Sequence, residues 1–314
     1  MLKYVAKRLV YIVFTLWIIV TCTFFMMKNL PGTPFDAERF SIMTPAQQKQ
    51  VLEMYGLNDP LPVQYVKYMK NIMHGDLGTS FTYVNKDVAD VISGRLGPSA
   101  LIGIQAVLLG LAVGLILGIL AAWKHNSGID YFTMILAVLG VSVPNFVAAA
   151  LLQYFIGLKW GILPVGFWTN WDCSVLPSIA LSFSATAMVA RFMRTEMLDV
   201  LDQDYIVTAR AKGISQMKVL MRHAARNSVL PVVTILGPVV VNLMTGSLAV
   251  ENIFSIPGIG SLFVDCIKAN DYPVIMGITI FYAAFYMLVV LLIDLVYSVI
   301  DPRIRLAKGK EDES

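Results

Sequence analysis

Charge is scarce in this chain. Only 14% of its 314 residues are Asp, Glu, Lys or Arg, against roughly 25% in a soluble domain. Hydrophobic residues make up 57% and mean hydropathy is +0.69, which indicates an integral membrane protein. The net charge of +3 implies no strongly charged partner, and no nucleic acid is expected. Cysteine and histidine number three each. Cys22, Cys173 and Cys266 lack metal-ligand spacing, so no metal site is expected. They read as three separate thiols, with a Cys173–Cys266 bridge left open because both fall on the predicted outer side. His74, His125 and His223 scatter to opposite sides, which argues against a membrane-bound enzyme, and no catalytic residue is assigned. No G-x-x-x-x-G-K-[ST] phosphate loop occurs, since "AKGIS" and "KGKED" do not fit it. The chain is therefore not itself a P-loop ATPase.

What it does have is apolar length. A bilayer core takes about 20 apolar residues in helix. Six runs free of Asp, Glu, Lys and Arg approach or exceed that length: Leu9–Met27, Leu101–Trp123, Tyr131–Leu158, Ser174–Ala190, Val229–Val250 and Tyr272–Ile293. They predict an all-α protein with six transmembrane helices, the fourth being the shortest. The first run follows Lys3, Lys7 and Arg8 as a signal peptide would. It is longer than an h-region of about 7–15 residues and no A-x-A site follows, so a retained anchor is expected.

Positive residues in short loops set orientation. Arg191, Arg194, Arg210, Lys212, Lys218, Arg222, Arg226 and Arg303 fall on the same side as the N-terminus, which places both termini in the cytoplasm. Residues 1–29 then form the tail and first span, 30–98 an extracytoplasmic segment, 99–301 a five-helix core with a cytoplasmic loop at 194–228, and 302–314 a cytoplasmic tail. The outer segment is too long for a bare loop. Thr44 as N-cap, Pro45 at the first helical position and Gly56 as stop predict one helix there. "VQYVKYMKNIM" predicts another, and "HGDLGTSF" a turn cluster.

Within the spans, Gly110, Gly114 and Gly118 stand four residues apart, one small face that suits close helix packing, either within the chain or at a homodimer seam. Pro144, Pro177, Pro231 and Pro238 predict kinks. The polar residues Gln105, Asn145, Gln153, Asn242 and Thr245, with Glu251 near a span end, are candidates for a transport pathway or for interhelical hydrogen bonds. Ionisable groups at mid-membrane are missing, and an ion-coupled transporter or channel would need them.

Tyr205–Pro231 is basic and contains no acid. "TEMLDVLDQDYIVTARAK" reads as a helix with acids early and bases late, as the helix dipole favours. Gly213 sits where a C′ glycine ends a helix, and Ser215 can cap a second helix, "QMKVLMRHAARN". A connector of nearly forty ordered residues reads either as an interfacial amphipathic helix or as a docking surface for a soluble partner.

"TARAKG", then a hydrophobic-basic helix and Leu230-Pro231, resembles the cytoplasmic loop of binding-protein-dependent ABC-transporter permeases. Val207 and Thr208 stand where the general motif has Glu and Ala. "YGLNDPLPVQY", "HGDLGTSF", "DYIVTARAKG", "RHAARNSVLPVV", "VENIFSIPGIG" and "DPRIR" resemble the B-type permease of oligopeptide and dipeptide importers, and "PGTPF" resembles the oligopeptide members. Nickel permeases belong to the same wider family. The resemblance implies a multi-pass subunit of the cell membrane with no cofactor of its own. It would pair with a second, homologous permease, with two ABC ATPase subunits that bind ATP and Mg, and with an extracytoplasmic peptide-binding protein. It also implies that Thr208, Ala209, Arg210, Ala211, Lys212, Gly213, Ile214, Ser215, Gln216 and Met217 form the elbow that docks on the ATPase.

Overall fold

The computed structural model describes residues 2–29, 40, 42–54, 56–83, 85–244 and 248–300. Among them the chain is helical, and the one β contact is an isolated bridge between Thr79 and Asp87. Contacts divide the chain into two units. One holds residues 1–97 and 258–285, the other residues 98–257 and 286–314.

In the first unit, α1 (Leu2–Lys28) carries the first apolar run. Its outward residues, among them Val10, Val13, Phe14 and Trp17, are exposed, as a helix meeting lipid requires. Helix α2 (Pro45–Met54) begins as predicted. Thr44 Oγ1 accepts the Gln47 N–H at 3.4 Å while Gln47 Oε1 accepts the Thr44 N–H at 2.9 Å, a reciprocal capping box. Gly56, at φ +64°, ends the helix. The Leu57 N–H reaches the Leu52 carbonyl and the Gly56 N–H that of Glu53, a Schellman closure. Helix α3 (Leu61–Met73) follows. The turn cluster after it is pinned from inside: the buried Asp271 carboxylate accepts the Ser80 hydroxyl and the N–H groups of Phe81 and Thr82, the latter two at 3.1 and 3.0 Å.

Helix α4 (Val88–Trp123) is 36 residues long and contains the second apolar run. The third run is broken. Helix α5 (Gly128–Ser142) and helix α6 (Asn145–Leu152), which continues as an i→i+5 turn over Gln153–Lys159, meet at 101°. Pro144 is the cause, because it stands in extended backbone (ψ 138°) ahead of α6 and its ring excludes continuous helix. The fourth run is the shortest apolar stretch but not the shortest helix. After a 3₁₀ turn at Trp171–Ser174, α7 (Val175–Leu201) runs eleven residues past Ala190.

The second unit also holds three further helices. They are α8 (Asp204–Ala211), α9 (Arg226–Met244) and α10 (Leu248–Ile253). Helix α11 (Ile259–Lys268) belongs to the first unit, and α12 (Tyr272–Ile300) carries the last run. Five described helices are long and apolar enough to cross a membrane, or six where the bent α5–α6 pair counts as one span. The glycine face of α4 packs within the chain. A Cβ at Gly110, Gly114 or Gly118 would stand 2.7, 2.7 or 2.6 Å from the Cβ of Ala185, Val189 or Met193 on α7. That settles the homodimer alternative in favour of intrachain packing. All three cysteines are free thiols, Cys22 exposed and the other two buried.

Candidate functional site

The basic segment folds into an elbow built on two helix ends. The single helix read from Thr195 to Lys212 is in fact two. Helix α7 ends at Leu201, and α8 starts at Asp204 after the extended Gln203 (ψ 147°). Glu196 and Asp199 therefore belong to the membrane helix, and Asp204 alone is the acid in the first turn of α8. Gly213, at φ +77°, closes α8. The Gly213 N–H bonds to the Arg210 carbonyl at 3.0 Å and the Ile214 N–H to that of Ala209 at 3.4 Å, again a Schellman closure. Glycine enters this left-handed backbone at the least cost. Ser215 holds the N-cap position but makes no side-chain cap bond. The second helix does not stop before the membrane. Gln216–Lys218 passes into an i→i+5 stretch at Val219–Ala225 and then straight into α9.

Burial divides the elbow in two. Ile206 and Ala209 join Met193 and Met197 of α7 and Val219, Leu220, Ala224 and Ala225 in one apolar cluster. Asn227 Nδ2 donates to the Tyr205 hydroxyl at 2.9 Å and fastens α8 to α9. Of the ten predicted elbow residues, Ala209 is buried, Ile214 is half-buried and the other eight are exposed. Met217 and the flanking Val207 and Met221 are each at least half exposed, at 50%, 58% and 52%. Arg210, Lys212, Lys218, Arg222 and Arg226 are exposed and form no ion pair among the described residues. The exposed part of the elbow thus carries both apolar and cationic side chains over a buried apolar base.

Three of the polar pathway candidates hydrogen-bond to other elements. Gln153 Nε2 donates to the backbone carbonyls of Val165 and Ile253, at 2.5 and 2.7 Å, and so ties the i→i+5 turn to a loop and to α10. Glu251, 2% exposed on α10, accepts the Ser99 hydroxyl at 2.7 Å. Gln105 accepts the Ser178 hydroxyl at 2.8 Å. These are interhelical fastenings. Asn145 opens α6, half-buried at the bend, and Asn242 is exposed on α9. Thr245 lies outside the described residues. A separate cavity of about 630 Å³ lies among α5, α6 and α7, with Leu136, Phe155, Trp160 and Phe183 in its walls, and none of the polar candidates lines it.

Sequence reasoning missed one polar centre. Arg194 on α7 faces Asp130 in the first turn of α5, with Nε 2.6 Å from Oδ1 and an Nη 2.8 Å from Oδ2. His125 joins them at 3.2 Å from each. The signal was present in "HNSGIDYF": a lone acid just before one apolar run, on the same predicted side as the arginines that follow another.

Residues 114–306 match the family described as binding-protein-dependent transport system inner membrane component, and residues 1–101 match the N-terminal family of such membrane components. The chain is 44% identical to a dipeptide transport system permease protein of Lactococcus lactis subsp. cremoris, over 98% of this chain and 100% of the relative. It is 43% identical to a dipeptide permease of Bacillus subtilis (98% and 99%) and 39% identical to an oligopeptide permease of Escherichia coli (97% and 100%). Among solved structures it resembles an inward-facing methionine ABC transporter, with TM-score 0.51 and 13% identity over 67% of this chain and 94% of that one. An amino acid ABC transporter gives TM-score 0.50 and 17% identity over 68% and 94%. At those identities the likeness is one of fold.

Proposed function

The chain belongs to the family of binding-protein-dependent transport system inner membrane components and is a multi-pass permease protein of the cell membrane, and we propose that it forms half of the translocation pore of an ATP-driven peptide importer. The other half is a second, homologous permease. Two ATPase subunits bind ATP and Mg on the cytoplasmic side, and a peptide-binding protein delivers cargo outside. Both termini lie in the cytoplasm. Hydrolysis belongs to the partners, because this chain has no phosphate loop.

One observation carries the coupling role: the elbow at Thr208–Met217 holds Gly213 in left-handed backbone on a buried apolar base and leaves eight of its ten residues exposed. A loop that only skimmed the membrane would not need so firm a base. Moving a two-state pore from 1:99 to 99:1 takes about 5.5 kcal/mol of differential binding, and closure of two ATPases on such elbows is a source of that size. Oligopeptides are the proposed cargo, on the "PGTPF" sequence at 31–35. The relatives named as dipeptide permeases make dipeptides the competing reading. The test is uptake of a labelled pentapeptide and, separately, of a labelled dipeptide by the assembled complex in proteoliposomes. Uptake of the pentapeptide supports the oligopeptide reading, uptake of the dipeptide alone replaces it, and uptake of neither removes the import reading.

A further inference from the structure

Asp130 and Arg194 meet in a geometry that calls for an account beyond stability. Asp130 is 2% exposed and accepts three N–H bonds, two from the guanidinium of Arg194 and one from Asn126 at 3.0 Å, while His125 Nδ1 lies 3.2 Å from it. The two guanidinium bonds form a fork, which fixes angle as well as distance. A buried ion pair of this kind adds little net stability over well-packed apolar groups. What it does add is register between the two helices that carry it.

Those helices lead to different places. Arg194 lies between Met193 and Met197, both fully buried in the same cluster as Ile206, Ala209, Val219 and Leu220 of the elbow. A close-packed cluster shifts as a unit, so this stretch of α7 follows the elbow. Asp130, by contrast, opens α5, the first half of the broken span. Beyond the 101° bend, Gln153 grips the carbonyl of Ile253, two residues from the buried Glu251. Gly140 packs closely on Ala187 further along the same two helices, so the ion pair holds the elbow end of a seam that already exists.

We propose that Asp130 and Arg194 are a positioning pair that transmits movement of the elbow, through α7, to the broken span α5–α6. The inference rests on the importer reading given above. Both residues act through the helices that carry them. Each sets where the broken span stands when the elbow is displaced.

The experiment uses the assembled transporter in proteoliposomes and reads peptide uptake and ATP hydrolysis per assembled complex. Asp130→Asn and Arg194→Gln should assemble and keep hydrolysing ATP while uptake falls by about tenfold, within the range of a coupling free energy. Arg194→Lys keeps the charge without the fork and should fall between them and wild type. The charge exchange, Asp130→Arg with Arg194→Asp, should recover uptake above either single exchange. The proposal is overturned if uptake per ATP hydrolysed stays at the wild-type value in the neutral variants. It is equally overturned if uptake and hydrolysis fall only in step with the amount assembled, or if the exchanged pair recovers nothing. Should the neutral variants not assemble, Arg194→Lys decides, and a wild-type ratio there refutes the proposal. A wild-type complex that takes up no peptide would instead refute the importer reading itself, and this inference with it.

Discussion

Gly213 separates strain from contact, and three substitutions there test the elbow. Its φ of +77° lies in the left-handed region. Alanine at that position costs about 1–2 kcal/mol of backbone strain, a factor of roughly 5–30 in the formed elbow's population. A Cβ there would meet nothing of this chain within 4 Å, so a clash within the subunit adds nothing to that figure. Asparagine tolerates left-handed backbone far better but adds volume on the outward side. If the turn alone matters, Gly213→Asn behaves as wild type and Gly213→Ala does not. If a partner's surface closes on the glycine, both lower ATPase copurification. Gly213→Glu adds a charge whose burial without a partner costs several kcal/mol more and should release the ATPase. The apolar spans are untouched in all three, so membrane levels should match wild type. Normal uptake with the ATPase still bound to the Gly213→Glu chain would refute the docking argument and leave the elbow as an interfacial helix.

Much of the fold was legible because lipid imposes a simple rule. A run of about 20 residues without charge crosses the bilayer, and the six runs found this way correspond to the five long helices and the bent pair. Two departures have physical causes that composition does not carry. The 101° break sits inside an unbroken apolar run, where hydropathy is blind to backbone direction, and only "SVPN" marks it. The fourth apolar run ends at Ala190 because Arg191, Arg194 and Glu196 follow. The helix continues to Leu201 because its buried face at Met193 and Met197 continues, and because Arg194 meets its countercharge on another helix. The Gly213 elbow and the Thr44 cap were readable since each depends on residues within five positions. The partners of Gln153 were not, since they lie 12 and 100 positions away along the chain.

Further expected outcomes can be checked on the same membranes. With Cys22 replaced, Lys49→Cys should react with an impermeant thiol reagent from outside and Gln216→Cys should not; both positions are exposed, so labelling of both from one side would overturn the six-span topology. The purified chain alone should hydrolyse no ATP above background, and turnover that survives removal of every partner would contradict the subunit assignment. Burial, with Asp271 and Asp265 nearby, pushes the Cys266 thiol up to about 12. The neutral thiol is therefore the stable form at ordinary pH, and at pH 8 the reactive thiolate is only about one part in ten thousand. Alkylation of Cys266 should be negligible in the native protein at pH 8, increase as pH approaches 12 and become rapid in denaturant, whereas fast native labelling would contradict its burial. Finally, Gly114→Ala tests the α4–α7 seam. Its new Cβ would stand 2.7 Å from Val189 Cβ and 2.9 Å from the Thr186 carbonyl oxygen. The obstruction is thus in part backbone, and a rotamer change at Val189 cannot relieve it. The helices must part by several tenths of an ångström along a face that also carries Gly110 and Gly118, at a cost of about 1–3 kcal/mol for overpacking. Faster thermal inactivation in detergent is expected, and shortening the neighbour with Val189→Ala should recover only part of the loss because the carbonyl remains. A Gly114→Ala chain as durable as wild type would mean that the two helices are not in contact there.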